Sequence, residues 1–159
     1  MNTHEPAIIK GTVQALIKWR DSEIVEEKLF RNTILTTGKM ALARSLANIV
    51  DDVYTFYIDK MIFGNNGTSG GVEKFVTTSR TGLFGVTRVQ KPVIANIDPD
   101  NPSQVIFTSV LTFEDGNGYQ LNEMALVMAN GDLYSMVTFP DLTKTDLMQI
   151  TWNWRLSFV

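Results

Sequence analysis

The sequence predicts a mainly β protein: an antiparallel β-sandwich or jelly-roll-like fold with one α-helix at about residues 37–50. Three observations predict it. Gly11 to Arg20 and Ile150 to Phe158 alternate apolar and polar residues, the period of half-buried strands. Turn chemistry recurs between the apolar runs, at Asp21-Ser22, Asp98-Pro99, Asn117-Gly118 and Asn130-Gly131. A helical spacing of apolar residues occurs in one segment only, after Thr36-Thr37. A chain of 159 residues fits one domain, 1–159, and shows no internal repeat or linker.

The elements follow in order. Val13, Ala15, Ile17 and Trp19 share one face of the first strand, and Ile24 to Phe30 returns after the Asp21-Ser22 turn, giving an N-terminal hairpin over about 11–30. The helix is expected to start at a Thr36 or Thr37 cap, whose hydroxyl accepts from the first-turn N–H groups. Leu42, Leu46, Ile49 and Val53 form its expected core face, and Asp51-Asp52 would fray its end by opposing the dipole. Phe56 to Phe63 reads as a strand with Phe56, Ile58 and Ile62 on one side. A glycine-rich stretch, Gly64 to Gly71, opens a long loop over 64–85 without a period of its own; such loops are usually functional or mobile. Further strands are expected at Val86 to Ile97, Val105 to Glu114, Leu121 to Ala129 and Leu133 to Phe139, and the last follows a turn at Pro140 to Asp146.

Composition excludes much chemistry. No cysteine means no disulfide, thiolate metal site or cysteine nucleophile. The one histidine, His4, lies in a polar segment where nothing orients it as a catalytic base. The net charge of −3 does not favour nucleic acid, whose binding depends on neutralising phosphates. Residues 1–96 carry 12 basic and nine acidic side chains and residues 97–159 two and eight, so the halves differ in sign. Complementary packing between copies would use that asymmetry. Met1 to Pro6 lacks the pattern of a signal peptide, and no apolar run approaches the roughly 20 residues that span a bilayer.

The motifs that invite chemistry fail on spacing. Gly71 is followed by Val72-Glu73-Lys74 rather than the Gly-Lys-Ser/Thr of a phosphate loop. Asp98/Asp100 and Asp115/Asn117 lack the further ligands of a calcium loop, and turn formation accounts for them. No catalytic residue, metal ligand or cofactor site is expected. The candidates are contact residues. Trp19, Trp152, Trp154 and Phe158 are read as core or interface aromatics, the last three on one apolar stripe with Ile150 and Leu156. Phe75, Arg80, Leu83 and Phe84 are read as a partner contact or as a cover folded back on their own domain, because three large apolar groups on a free loop would forgo burial. Arg80 is expected to pair with acidic groups of a neighbouring subunit.

Three motifs carry a resemblance: Asn32-Thr33-Ile34-Leu35-Thr36-Thr37-Gly38-Lys39 at the helix start, Met61-Ile62-Phe63-Gly64 at a strand end, and Lys144-Thr145 with Ile150-Thr151-Trp152-Asn153-Trp154 near the close. Over about residues 30–159 the chain resembles small virion structural proteins of tailed bacteriophages, of the capsid decoration (cement) or tail-associated type. The resemblance implies a non-enzymatic virion subunit, assembled in the bacterial host cytoplasm; a small single domain without coiled-coil or fibre repeats, with an apolar-bearing loop to grip neighbours, favours a head decoration protein that binds the major capsid protein or other virion proteins. It also implies self-association as a dimer or trimer, with no cofactor, nucleic acid or membrane partner. The alternative is a tail, collar or baseplate component; a carbohydrate-binding module using its tryptophans is more distant.

Overall fold

The structure, a computed structural model, describes residues 9–47 and 56–159. His4, Ile49, Asp51, Asp52 and Val53, on which some sequence expectations fell, lie outside the described residues. The elements run β1 (Ile9–Trp19), β2 (Val25–Arg31), β3 (Thr33–Ile34), α1 (Thr36–Leu46), β4 (Ile58–Gly64), β5 (Thr68–Ser69), β6 (Val72–Glu73), β7 (Val89–Pro92), β8 (Ile94–Ile97), β9 (Gln104–Leu111), β10 (Gln120–Met128), β11 (Leu133–Thr143) and β12 (Met148–Phe158).

Two five-stranded antiparallel sheets form a sandwich, ordered β2-β1-β12-β9-β8 and β3-β11-β10-β4-β7, with β5 and β6 as a separate small hairpin. Period-two alternation decides which side chains enter. Val13, Ala15 and Ile17 of β1 meet Ile150, Trp152, Trp154 and Leu156 of β12 on the inner face of the first sheet. Met61, Phe63, Met124, Leu126 and Phe139 face them from the second. Trp152 sits between Phe63 and Phe139, with ring centroids 5.3 and 5.4 Å away. Burying such rings removes a large apolar area from water, at about 25 cal/mol per Å².

The second sheet is covered on its outer side too. Leu35, Val76, Ala125, Val127, Leu133 and Met136 form a second apolar cluster there, with Ile62, Leu83 and Phe84 packed against it. β10 therefore has both faces buried, which explains why it reads as a nearly unbroken apolar run.

Several expected boundaries shift, each for a local reason. Val86 to Ile97 is not one strand: β7 pairs with β4 in the second sheet, β8 pairs with β9 in the first, and the chain crosses between them at Val93. Pro92 ends β7 because it has no N–H to continue the ladder. β11 runs past Phe139 to Thr143, since its register with β10 shifts between Leu121 and Glu123 and Pro140 sits at that irregularity. In β4 the step from Ile58↔Met128 to Lys60↔Val127 leaves Asp59 unpaired as a bulge, which turns Ile58 toward the main core with Met61 and Phe63, while Ile62 faces outward.

The helix differs most from expectation. Neither threonine caps it: Leu35 holds the cap position, and no side chain bonds the first turn there. The Leu35 N–H donates instead to the Tyr134 carbonyl at 3.0 Å and the Thr36 N–H to the Thr78 carbonyl at 2.8 Å, while the Thr37 hydroxyl donates to the Leu133 carbonyl. The buried helical residues are Gly38 and Ala41; Leu46 is exposed and Leu42 only partly covered. Small residues are what allow the helix to lie directly on β11.

Candidate functional site

The loop of residues 65–88, between β4 and β7, lies across the outer face of the second sheet, and two side chains of β10 organise it. Glu123 is fully buried, and its carboxylate accepts three backbone N–H groups: Asn66 (3.1 Å) and Gly85 (3.1 Å) at Oε1, and Phe84 (2.7 Å) at Oε2. Hydrogen bonds to an ionised acceptor are stronger than neutral ones, which offsets the cost of burying the carboxylate. Beside it, Asn122 Oδ1 accepts the Gly67 N–H at 2.6 Å, and its Nδ2 donates to Thr68 Oγ1 and Asp141 Oδ1. Thr68 Oγ1 in turn donates to Asp141 at 2.8 Å. The Asn122 and Thr68 bonds hold the Asp141 carboxyl below its ordinary pKa.

Gly64, Gly67 and Gly85 serve this packing rather than mobility. A Cβ on Gly64 would stand 2.5 Å from Glu123 Oε1, one on Gly85 would stand 2.7 Å from the Asn66 Cβ, and one on Gly67 would strike the Asn122 carbonyl. Gly70 and Gly71, at φ of 59° and 79°, make the tight turn between β5 and β6. Further along, the Thr138 hydroxyl donates to the Lys74 carbonyl at 2.8 Å, and Arg88 Nε donates to Asn65 Oδ1 at 3.1 Å. The loop expected to be irregular is thus a fastened platform.

The four candidate contact residues divide. Leu83 and Phe84 fold back onto the second apolar cluster. Arg80 stacks on the Phe84 ring, 3.6 Å from its centroid, and donates to the Gly82 and Leu83 carbonyls at 3.1 and 3.0 Å. Its guanidinium is engaged within the loop. Phe75 alone points out and is 85% exposed, while its neighbour Val76 is buried. Of the aromatics, Trp152 and Trp154 are fully buried; Trp19 and Phe158, at the ends of their strands, are 38% and 40% exposed. The sequence reading passed over Glu123 and Asn122, although an Asn-Glu pair inside an apolar run is the available signal for buried polar anchors.

Beside the start of α1, an open depression of about 880 Å³ is lined by Ile9, Asn32, Ile34, Leu42, Thr78 and Phe158 among others, and among the described residues Lys39 is the single charged side chain in its wall. Among the described residues no group of three or more His, Asp or Glu could hold a metal ion. No described helix is long and apolar enough to cross a membrane.

The motif residues that carry the resemblance are packing residues. Ile34, Leu35, Phe63, Ile150, Trp152 and Trp154 are buried, and Gly38 lies against the Tyr134 carbonyl. A sandwich of this kind does not by itself say where the protein works, and the family match is what places it. Over residues 27–156 it matches the family model described as phage tail-collar fibre protein, N-terminal, and the chain belongs to that family. It is a structural component of the phage tail. The match supports the tail alternative set out above and lends nothing to head decoration or to a capsid-protein partner. No curated protein and no solved structure matches the chain.

Proposed function

We propose that the chain is a non-enzymatic docking module of the tail, joining the fibre or collar assembly to neighbouring tail proteins through the platform around Phe75. The observation that carries this reading is a large aromatic ring, 85% exposed, on a loop whose backbone is fastened by Glu123 and Asn122. An exposed aromatic held in place is the kind of anchor that dominates protein interfaces, and a rigid mount spares the cost of ordering the loop on binding. The non-enzymatic role rests on the family, whose description is of a fibre protein. Leu83 and Phe84 hold the loop down on the second cluster, and Arg80 stacks on Phe84.

Two variants separate the roles. Phe75→Ser is expected to leave the melting temperature of the isolated protein unchanged and to lower its incorporation into tails at least tenfold. Phe84→Ser is expected to lower the melting temperature, because it uncovers the second cluster and removes the ring under Arg80. Normal incorporation of Phe75→Ser would overturn the docking assignment. A large loss of stability in that variant would make Phe75 part of the fold instead.

A further inference from the structure

A charge buried in a protein is ordinarily paired with an opposite one. Lys144 departs from that rule. Its side chain is fully buried, yet among the described residues no carboxylate lies within ion-pair distance of its ammonium. Nζ donates instead to two neutral oxygens, Asn117 Oδ1 at 3.0 Å and the Thr145 carbonyl at 2.8 Å. Asp115 is committed to Lys91 and Thr112, and with Asp146 and Glu114 it acts on Lys144 only through space. The Asn117 carboxamide is held at both ends, because its Nδ2 donates to the Phe113 carbonyl at 2.8 Å. The two backbones are clamped as well. The Gly118 N–H donates to the Lys144 carbonyl, and the Lys144 N–H to the Tyr119 carbonyl, each at 2.9 Å. Gly116, at a φ of 66°, turns the chain over the lysine stem, whose Cγ would lie 3.7 Å from a Cβ there. A primary amine is thus fixed against a primary carboxamide, with the lysine out of water and Asn117 exposed to it.

We propose that Lys144 and Asn117 join covalently, through an isopeptide bond between Nζ and Cγ. The step balances within the pair. The Nζ lone pair, freed by loss of one proton, attacks Cγ, and the Cγ–Nδ2 bond breaks. Nζ gives up two of its three protons in all, both to the departing nitrogen, which leaves as an ammonium ion on the exposed side. Nothing is oxidised or reduced, and the positive charge leaves the interior with the ion. Burial favours the first proton loss by pushing the Lys144 pKa down, against the pull of Asp115, Asp146 and Glu114, and a desolvated lysine is an activated nucleophile. Fixing the two groups in contact makes an otherwise slow reaction effectively intramolecular. Both partners lie on connections between the sheets. Residues 112–119 lead from β9 to β10 and residues 144–147 from β11 to β12. The bond ties these two crossings together at one end of the sandwich, and it restricts the unfolded chain as a disulfide would.

Mass spectrometry of the intact protein tests this. The wild type is expected to weigh one ammonia less than its sequence, and proteolysis is expected to release a branched peptide joining Asn117 to Lys144. Lys144→Met and Asn117→Ala are each expected to weigh what their sequences give and to melt below the linked wild type. Cyclisation of Asn117 onto Gly118 would lose the same ammonia. That product has no branched peptide and persists in Lys144→Met, and finding it alone would overturn the proposal. A wild type still at full mass after prolonged incubation at mildly alkaline pH would also overturn it, leaving Lys144 as a cation held by two oxygens.

Discussion

Asp115 shows how a single ion pair is set by its surroundings. Burial works against its ionisation, but the Lys91 ammonium at 2.8 Å and the N–H and hydroxyl of Thr112 outweigh that, and the carboxyl is held below its ordinary value. A carboxyl whose folded pKa is depressed stabilises the fold above its unfolded pKa and loses that contribution as pH falls through the folded value. Lys91→Met should therefore cost about 1 kcal/mol near neutral pH, as expected for a partly exposed pair. The gap to the wild type should close toward about pH 2, below the ordinary aspartate range. Denaturant curves for both proteins across that range check this; a gap constant with pH would contradict it. Lys144 is the opposite case, a fully buried cation lowered in pKa by desolvation while Asp115, Asp146 and Glu114 pull it back. Its ammonium donates to Asn117 Oδ1 and the Thr145 carbonyl, at 3.0 and 2.8 Å. At this scale the sequence was legible for apolar side chains and not for polar ones. Trp152 and Trp154 announce their burial by alternation, but Glu123 and Lys144 are buried by tertiary partners that no local pattern contains.

Elements were legible wherever a strand has one wet face. β1 and β12 alternate cleanly because the outer face of their sheet is polar, crossed by a relay in which Thr108 donates to Asn153, Asn153 to Gln14, and Gln14 to Glu27. The hairpin of β10 and β11 was legible from Asn130-Gly131, and Gly131 adopts a φ of 93°. Legibility failed where tertiary contacts replace local rules. The helix gives no sign in its own residues that its first N–H groups are met by Tyr134 and Thr78 carbonyls. Nor does helical spacing reveal that Gly38, rather than Leu42 or Leu46, marks the buried face. The shift between Leu126↔Ser135 and Val127↔Leu133 leaves Tyr134 unpaired in β11, and Gly38 rests on its carbonyl. A Cβ at Gly38 would strike that carbonyl, so the helix would have to lift from the sheet. Gly38→Ala, which favours a helix by propensity alone, should instead destabilise the protein by ~1–3 kcal/mol. Urea denaturation measures it, and a stabilised variant would show that the helix is not docked as described.

For the whole molecule, the two sheets divide the work. The first leaves its outer face to solvent, while the second is covered on both sides by the core and by the 65–88 platform. The long loop was visible in the sequence as a region without a period, but its glycines suggested mobility. The actual role of Gly64 and Gly67, close approach to Glu123 and Asn122, depends on a strand nearly 60 residues further along. Fold class was legible because alternation and turns are local; placement in the virion was not, because packing motifs such as Phe63-Gly64 and Trp152-Asn153-Trp154 record a fold rather than a location. Placement follows from the family. The most direct test is therefore electron microscopy of intact particles carrying a labelled copy of this chain: the label is expected at the tail, and a label spread over the head shell with none on the tail would contradict the account.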